Sequence, residues 1–359
     1  MKKAVVALSG GVDSSVTAKL LQDKGYEVIG LTGKMVNSQA AETVVKNAQR
    51  VADKLGIKLE VFDATEKFKE KVVDYFVNAY RDGKTPNPCI MCNKFIKWGV
   101  LFDYAMDVLK ADVFATGHYA DIRCVDGIYK LYPAKDEHKD QLYFLYRLGQ
   151  KQLSKTVFPL YHYEKSQVKQ MAIDFDLPPK DSKESQDICF IQKPVTTKSY
   201  LINKFGTQKG DFVDILTGKK WGEHSGCYQF TIGQRKGIGI AAPYPLYVID
   251  IDPVKNIVYV GREEDNYKKV VKITDLNWVY PPHPSLRATF SHAGEKGAEF
   301  DAWVKIRYNM PHKKAHVRLF DDFADIEFEE PVNSVTCGQS GVIYDLNDKH
   351  LIGGGIVSK

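Results

Sequence analysis

The sequence lacks any apolar run approaching the roughly 18 residues that a bilayer crossing needs, so we expect no membrane partner. Its first apolar stretch, Ala4 to Leu8, is shorter than the roughly 7–15-residue core of a signal peptide, and we expect a cytoplasmic location. Six cysteines among 359 residues are too few for a disulfide scaffold. In a reducing compartment such cysteines indicate metal binding or thiol chemistry instead.

Neither charge sign dominates the composition. The formal net charge is +5, with 26% charged and 44% hydrophobic residues, as in ordinary globular proteins. At about 150 residues per domain, the length predicts two or three domains. Residues 1–200 carry 30 basic and 25 acidic side chains, whereas the remainder is balanced. This excess is compatible with an anionic partner of the first part, either a nucleotide or a nucleic acid.

The chain divides into two parts with different secondary-structure patterns. In the first 120 residues, apolar strand-like runs alternate with helical patterns at Ser14–Lys24, Ala40–Leu55, Glu66–Tyr80 and Phe95–Leu109, which predicts a doubly wound parallel α/β sheet. Beyond about residue 205, short strands follow, including one at Gly226–Thr231, and later segments alternate with period 2. We expect an α/β domain over 1–200, a small mainly-β central domain over 201–268, and an antiparallel β-barrel over 269–359, interrupted by Pro281-Pro282-His283-Pro284.

A glycine-containing loop joins the first strand to the first helix. The string Ser9-Gly-Gly-Val-Asp-Ser-Ser15 lets the backbone approach phosphate oxygens, and the serine hydroxyls and the first helical N–H groups can donate to them. Asp13 could orient a Mg²⁺ ion on the phosphates. The loop lacks the Gly-Lys-Ser/Thr of a Walker A motif and the G-x-G-x-x-G of dinucleotide sites. It therefore predicts a different class of nucleotide loop.

Two motifs contain cysteines. In Pro86-Asn-Pro-Cys89-Ile-Met-Cys92, the prolines stiffen the loop. We expect Cys92 near the start of the following helix, beside Lys94 and Lys97, where a thiolate is stabilised. In the second motif, Asp181 to Ile191, we expect a short apolar strand to carry Cys189 out of a polar loop.

Three interpretations of these cysteines remain open. They could be ordinary buried side chains. They could bind a metal ion, with the Cys89-x-x-Cys92 pair joined by Cys189 and by Cys124 or a histidine, although a lone C-x-x-C is weak evidence for zinc. They could also form a catalytic pair. The residues alone do not decide among the three.

The nucleotide loop resembles that of the PP-loop ATP pyrophosphatases, which have a HUP-like fold and adenylate a carbonyl oxygen. One branch matches along essentially the whole chain, the tRNA-specific 2-thiouridylases of the MnmA type. The matching strings are Gly83-Lys-Thr-Pro-Asn-Pro, Cys92-Asn-Lys, Ala115-Thr-Gly-His-Tyr-Ala, Lys139-Asp-Gln, Asp187-Ile-Cys-Phe-Ile, Phe230-Thr-Ile-Gly-Gln-Arg-Lys-Gly, Lys305-Ile-Arg-Tyr and Gly338-Gln-Ser.

The resemblance implies a sulfurtransferase that uses ATP, with Mg²⁺, to adenylate O2 of uridine 34 at the tRNA wobble position. Sulfur then comes from a persulfide on Cys189, and Cys92 is the nucleophile. Cys92 and Cys189 form an alternate disulfide. AMP and pyrophosphate are released. No permanent metal is expected. Because a relative of these thiolases holds an iron–sulfur cluster, an iron–sulfur or zinc site at Cys89, Cys92 and Cys189 is the alternative.

The resemblance also implies binding residues. ATP would contact Ala7, Leu8, Ser9, Gly10, Gly11, Val12, Asp13, Ser14, Gly33 and Gly117. The target base would contact Asn87, Pro88 and Cys89. The tRNA would contact His118, Lys139, Asp140, Gln141, Arg307, Tyr308 and Gln339. Expected partners are tRNAs of the Lys, Glu and Gln type and a sulfur donor, either a cysteine desulfurase or a sulfur-relay protein.

Two positions depart from the family pattern. The family often has Asp where this chain has Cys89, and an apolar Met or Leu where it has Gly33. Two other classes of function were considered. A PP-loop ligase acting on a small molecule would leave Cys92 and Cys189 without a role, and an intact nucleotide loop argues against a purely RNA-binding protein.

Overall fold

The computed structural model describes residues 1–178, 188–280 and 298–359. Residues 181–187 of the second cysteine motif and the proline-rich stretch at 281–284 lie outside the described residues. None of the helices within the described ranges combines the length and the apolar character that a bilayer crossing requires.

A five-stranded parallel sheet forms the centre of the first domain. Its strands are β1 (Lys3–Ala7), β2 (Glu27–Lys34), β3 (Lys58–Asp63), β4 (Val113–Ala115) and β7 (Thr156–Val157), in the order β3-β2-β1-β4-β7. The central strand β1 is apolar on both faces, and Ala4, Val5 and Val6 are fully buried. This burial is typical of a parallel sheet covered by helices on both sides. The predicted α/β fold is confirmed.

Helices connect these strands, and further short helices follow. They are α1 (Val12–Asp23), α2 (Gln39–Leu55), α5 (Gln150–Leu153), α6 (Lys165–Asp174) and α7 (Thr197–Phe205), with α3 and α4 described below. Helix α2 begins at an N-cap, Ser38, whose side chain accepts a hydrogen bond from Ala41 N. It ends at Gly56 in the left-handed conformation, as expected for a helix terminated by glycine.

Two long helical segments contain π-helical turns, and the second is kinked at Gly99, whose φ of −103° and ψ of −109° are not helical. Helix α3 comprises Thr65–Phe68, Lys69–Val73 and Asp74–Arg81, and α4 runs from Pro88–Cys92 through Asn93–Leu101 to Tyr104–Val108. The sequence predicted that α4 begins at residue 95, which is wrong. The helix begins at Pro88 because Asn87 accepts a hydrogen bond from Cys89 N at 3.2 Å and proline suits the first helical position. Cys92 consequently lies more than one turn inside the helix.

The central domain contains a four-stranded sheet. Its strands are β8 (Gly210–Asp214), β9 (Lys220–His224), β10 (Tyr247–Asp252) and β11 (Ile257–Gly261), in the order β10-β11-β8-β9. The strand predicted at 226–231 is wrong, because a 3₁₀ turn spans Cys227–Gln229. Gly226 precedes this turn with a φ of 142°, a backbone conformation that interrupts an extended strand.

The last domain is a closed antiparallel barrel, as predicted. Its strands are β12 (Tyr267–Trp278), β13 (Glu299–Lys305), β14 (Lys313–Leu319), β15 (Phe323–Asn333), β16 (Ser340–Tyr344) and β17 (Leu351–Ser358). Pairing of β12 with both β15 and β17 closes it. A hairpin from the first domain, β5 (Asp121–Val125) with β6 (Ile128–Tyr132), extends this sheet through the pairing of Leu131 with Leu351. The sequence did not predict this connection between domains.

Candidate active site

A cavity of about 370 Å³ opens at the carboxyl ends of β1 and β2. This is the edge of an open α/β sheet where ligands usually bind. Helices α2, α3 and α4 and residues 188–192 form its other walls. The predicted site residues that line it are Ala7, Leu8, Ser9, Gly33, Pro88, Cys89, Cys92 and Cys189. The fold thus brings the start of the nucleotide loop and three thiols, which are up to 182 positions apart in sequence, into one space.

The nucleotide loop has the geometry of an anion site. Gly10 has a φ of 74°, and a Cβ there would lie 2.6 Å from Asn47 Cβ, so the position requires glycine. Gly117 packs directly against the loop, since its added Cβ would meet Asp13 Cβ at 2.8 Å. The N-cap of α1, Gly11, has no side chain that caps the helix. The first N–H groups of α1 therefore remain available to an anionic ligand.

Asp13 points towards a lysine that the sequence analysis did not identify. Both carboxylate oxygens of Asp13 accept hydrogen bonds from Lys165 Nζ at 2.6 Å, and one also accepts from Tyr119 Oη at 3.0 Å. The Lys165 side chain is 9% exposed, whereas that of Asp13 is 30% exposed. Nothing local in the sequence marks Lys165, because only the packing of α6 against α1 brings it to the loop.

The three cavity thiols are all free and differ in exposure. Cys92 is half-buried, whereas Cys89 and Cys189 are exposed. Burial by the surrounding walls raises the pKa of Cys92 to about 12 and that of Cys189 to about 11, and it also raises the pKa of Cys89. The charge of either neighbouring thiolate raises the pKa of Cys92 further. The thiols are therefore close enough to interact electrostatically.

The predicted stabilisation of a Cys92 thiolate is wrong, because the pKa of Cys92 is raised. Cys92 lies inside α4 against apolar walls, and desolvation outweighs the cations. Lys94 is not among the groups that shift the pKa values of the three thiols, and its ammonium lies 5.1 Å from the centre of the Phe95 ring. Lys97 does line the cavity and lowers the pKa of each of the three thiols, although by less than burial raises it.

Cys189 lies in a turn, so the strand predicted for its segment is wrong. Ile191 N donates to the Ile188 carbonyl at 2.9 Å. Phe190 anchors this turn, because its ring packs edge-on against Phe68 and Phe76 at centroid distances of 5.8 and 5.3 Å. An anchored aromatic next to an exposed cysteine holds the thiol at the mouth of the cavity.

The loop before α4 is held by the two other domains. Thr85 N donates to the Cys337 carbonyl at 2.8 Å, and Gln339 Nε2 donates to the Thr85 carbonyl at 2.9 Å. The Thr85 hydroxyl donates to the Thr231 hydroxyl at 3.2 Å, which adds a contact from the central domain. All three domains therefore meet at the loop that carries Asn87 and leads into α4 at Pro88.

Several predicted tRNA residues cluster where the first domain meets the barrel. Tyr308 Oη donates to the Asp140 carbonyl at 3.3 Å, and Arg307 donates to Asn333 Oδ1 at 2.6 Å. The Gln141 side chain accepts from Tyr119 N at 3.0 Å. Burial raises the pKa of Asp140 to about 6. Lys139 is half-buried next to these residues.

His118 is placed differently from the other predicted tRNA residues. It is only 8% exposed and packs against Trp98 and Phe158. Its Nδ1 lies 2.7 Å from Thr116 Oγ1, and its Nε2 lies 3.4 Å from Lys97 Nζ. Burial holds the pKa of His118 well below its usual value, so the ring is neutral at pH 7. In this conformation it faces the thiol cavity through Lys97, and a direct tRNA contact would require its neighbours to move.

The thiols do not form a compact zinc site. A single zinc bound at about 2.3 Å per thiolate needs sulfur atoms within about 4.6 Å of one another. Among the described residues, the group of candidate ligands that gathers within 4.8 Å is Asp345, Asp348 and His350 on the barrel. The three cavity thiols would have to move to share one zinc ion.

Family models match three consecutive parts of the chain. The tRNA methyl transferase HUP domain matches residues 2–193, the tRNA methyl transferase PRC-barrel domain matches 198–262, and the Aminomethyltransferase beta-barrel domain matches 268–357. Among solved structures, the U34-tRNA thiolase NcsA from Methanococcus maripaludis with its [4Fe-4S] cluster is 19% identical, with a TM-score of 0.36 over 52% of this chain and 60% of that one. That likeness is too weak to support an argument about chemistry.

Relatives named tRNA-specific 2-thiouridylase match over the full length. The tRNA-specific 2-thiouridylase MnmA of Microcystis aeruginosa is 40% identical, and that of Trichormus variabilis is 41% identical; each alignment covers 100% of this chain and 99% of the relative. The tRNA-specific 2-thiouridylase MnmA 1 of Clostridium botulinum is 40% identical with the same coverage. The predicted resemblance is confirmed, and the chain belongs to the tRNA-specific 2-thiouridylase family.

Proposed function

We propose that this enzyme, a tRNA uridine sulfurtransferase, acts on O2 of uridine 34 and takes its sulfur from a persulfide on Cys189. The observation that carries the proposal is the single cavity shared by the start of the nucleotide loop, Cys92 and Cys189. An ATP-activated oxygen and a sulfur donor must meet at one carbon atom, and a cavity lined by both the nucleotide loop and the two thiols would allow this. A base stacked in a helix cannot present its O2, so the target is flipped from the anticodon loop.

Activation comes first in the proposed reaction. Uridine O2 attacks the α-phosphorus of ATP, the bond to the β-phosphate oxygen breaks, and pyrophosphate leaves with the electron pair. The terminal sulfur of the Cys189 persulfide then attacks C2, and AMP departs with O2. Cys92 attacks Cys189 Sγ, and the sulfur–sulfur bond of the persulfide breaks with its electron pair on the transferred sulfur. The products are 2-thiouridine and a Cys92–Cys189 disulfide, which a thiol reductant reopens.

Nucleotide binding uses the loop and its neighbours. We assign ATP contacts to Ala7, Leu8, Ser9, Gly10, Gly11, Val12, Asp13, Ser14, Gly33 and Gly117. Mg²⁺ is usually bound in such sites by one or two carboxylates plus phosphate oxygens. Asp13 is the single carboxylate of the loop and its side chain is partly exposed, so it fits that role. When bound, the ion neutralises phosphate charge.

We expect the bound tRNA to contact both the first domain and the barrel. We assign target-base contacts to Asn87, Pro88 and Cys89, and tRNA contacts to His118, Lys139, Asp140, Gln141, Arg307, Tyr308 and Gln339. The assignment is supported by the meeting of three domains at Thr85.

We further propose that the substrates are tRNAs of the Lys, Glu and Gln type and that the sulfur donor is a cysteine desulfurase or a sulfur-relay protein. We propose domain limits at 1–200, 201–268 and 269–359.

A second candidate mechanism uses an iron–sulfur cluster. The observation that favours a cluster is that Cys89, Cys92 and Cys189 line the same cavity, with Cys89 at a position where the family often has Asp. In that mechanism Cys89, Cys92 and Cys189 would hold the cluster, which would activate the sulfur that is transferred. We favour the persulfide because the pair Cys92 and Cys189 accounts for sulfur transfer without a resident metal.

The test is thiolation of uridine 34 in purified tRNA supplied with ATP, cysteine and a cysteine desulfurase. Cys92→Ser and Cys189→Ser should each abolish 2-thiouridine, measured by mass spectrometry of nucleosides. Cys124→Ser is the matched control, because Cys124 is an exposed free thiol on strand β5 that does not line the cavity. Normal thiolation by Cys189→Ser would rule out the proposed mechanism.

A further inference from the structure

Lys97 places a cation among the three thiols of the cavity. It is half-buried on α4 and lines the cavity together with Cys89, Cys92 and Cys189. Its charge acts on all three, since it lowers the pKa of each. Among the described residues, Lys97 is the only charged side chain that lines this cavity.

His118 holds the ammonium of Lys97 in place. Lys97 Nζ lies 3.4 Å from Nε2 of the neutral His118 ring. Because an ammonium can only donate hydrogen bonds, Nε2 accepts this one, and the ring proton is on Nδ1. Nδ1 then donates to Thr116 Oγ1 at 2.7 Å. The ring itself is buried against Trp98 and Phe158, so the acceptor for Lys97 is fixed.

The cavity supplies this cation with no counter-ion. No carboxylate of the described residues lines it, and the hydrogen-bond partner of Lys97 is a neutral ring. Apolar side chains, including Leu31, Phe68 and Leu101, form much of the wall. A positive charge that is partly desolvated and unpaired costs free energy, and an anion that forms in the cavity removes part of this cost.

We propose that Lys97 is a catalytic residue of sulfur transfer, with His118 as its positioning residue. The ammonium binds the anionic terminal sulfur of the Cys189 persulfide and then the thiolate of Cys92. This inference rests on the proposed function. The terminal sulfur gives an electron pair to C2, and the Cys92 thiolate then gives one to Cys189 Sγ. Lys97 stays protonated throughout, so no bond is made or broken beyond those of the proposed reaction.

Stabilising these anions accelerates their attack, because only ionised sulfur is a good nucleophile. For a thiol that is mostly protonated, a pKa lower by one unit makes the thiolate about ten times more abundant. The same change lowers the intrinsic nucleophilicity of the thiolate only about three-fold. A fixed cation beside both sulfur atoms therefore gives a net gain in rate.

The test follows adenylation and sulfur transfer separately in one turnover. Enzyme loaded by cysteine and a cysteine desulfurase is mixed with ATP and a limiting amount of tRNA, after mass spectrometry has measured the loaded fraction. Lys97→Met should slow 2-thiouridine formation by loaded enzyme roughly ten- to a hundred-fold, the value of one hydrogen bond to a charged group. Pyrophosphate release should stay within about two-fold, so adenylated tRNA should accumulate. Lys97→Arg should restore part of the loss.

Lys46→Met is the matched control. Lys46 is an exposed lysine on α2, a helix that forms another wall, but it does not line the cavity, so thiolation should stay within about two-fold. Unchanged thiolation by Lys97→Met would overturn the inference. Equal slowing of pyrophosphate release would also overturn it, because Lys97 would then serve the nucleotide or the shape of the cavity. A wild type that carries no additional sulfur on Cys189 would instead overturn the proposed function.

Two variants of His118 test its positioning role. Glutamine keeps a hydrogen-bond acceptor for Lys97, whereas phenylalanine removes it. At saturating tRNA, His118→Phe should transfer sulfur about three- to ten-fold more slowly than His118→Gln, as expected for one lost hydrogen bond. A role confined to tRNA contact would raise the KM for tRNA and leave the saturated rates of the two variants equal. That result would overturn the positioning role.

Discussion

Gln339 of the barrel donates a hydrogen bond to the carbonyl of Thr85, 254 residues earlier, at a distance of 2.9 Å. Thr85 lies in the loop that leads into α4, the helix that carries Cys89 and Cys92. A barrel residue that we assign to tRNA contact is thereby joined to the segment that carries the proposed nucleophile, Cys92. We therefore expect binding of tRNA at Gln339 to be coupled to the position of α4.

Gln339→Ala should lower the thiolation rate by roughly ten-fold, because losing one hydrogen bond of about 1 kcal/mol to the loop adds to a lost tRNA contact. ATP affinity should stay within two-fold, since the nucleotide loop is elsewhere. Gln208→Ala, at an exposed position of the central domain, is the control. Unchanged thiolation by Gln339→Ala, measured at subsaturating tRNA, would contradict this coupling.

Gly10 and Gly25 allow the effect of backbone strain to be measured separately from that of steric crowding, because both have a positive φ and only Gly10 has close neighbours. Gly10 has a φ of 74° and Gly25 a φ of 80°, but an added Cβ meets Asn47 and Ala48 only at Gly10. Gly25→Ala should cost about 1–2 kcal/mol of stability and keep ATP binding. Gly10→Ala should cost more and lose ATP binding, because the loop must shift. Thermal unfolding and nucleotide calorimetry measure the two effects. Equal effects of the two substitutions would contradict the described packing of the loop.

The raised thiol pKa values predict slow alkylation of the ligand-free enzyme. With a pKa of about 11 for Cys189 and about 12 for Cys92, both are protonated at pH 8, and only the thiolate reacts. Labelling by iodoacetamide should therefore rise steadily from pH 7 to above pH 9, with Cys189 labelled before Cys92. Lys97→Met should slow labelling further, because Lys97 lowers both pKa values. A rate that levels off near pH 7 would show that the thiolates are stabilised after all.

Cys89→Asp distinguishes the catalytic pair from a metal cluster. In the persulfide mechanism, Cys89 borders the target base, where the family often has Asp, so the variant should keep substantial activity. Cluster ligation by three cysteines would instead make each of them essential. The activity assay must use protein shown by elemental analysis to lack iron and zinc. Inactivity of the variant, together with stoichiometric iron in the wild type, would favour the cluster.

Much of the architecture followed from local patterns, because strand and helix periodicity is a short-range signal. The alternation before residue 120 predicted the parallel sheet, and the period-2 segments predicted the barrel. The start of α4 differs from the prediction: Asn87 and Pro88 are an N-cap and a first-turn residue, but the two prolines of Pro86-Asn-Pro88 are equally typical of a stiff loop. The turn at Cys189 depends on Phe190 packing into a distant aromatic cluster, which no local pattern reveals.

The same difference between local patterns and tertiary packing decides which residues of the candidate site the sequence could predict. The nucleotide loop and both cysteine motifs are contiguous strings, so they could be recognised in the sequence. Lys165 could not, because 152 residues separate it from Asp13 and only tertiary packing joins them. The protonation of Cys92 was also mispredicted, because desolvation depends on the cavity walls and not on neighbouring lysines in the sequence.

Direct detection of the persulfide tests the central claim of sulfur transfer through Cys189. The wild type and the variants Cys92→Ser and Cys189→Ser would be incubated with cysteine and a cysteine desulfurase, without tRNA, and then alkylated and digested. Mass spectrometry should find one additional sulfur atom on the Cys189 peptide in the wild type and in Cys92→Ser, and none on any cavity cysteine in Cys189→Ser. Additional sulfur on Cys92 or Cys89 but not on Cys189, with tRNA thiolation intact, would contradict the account.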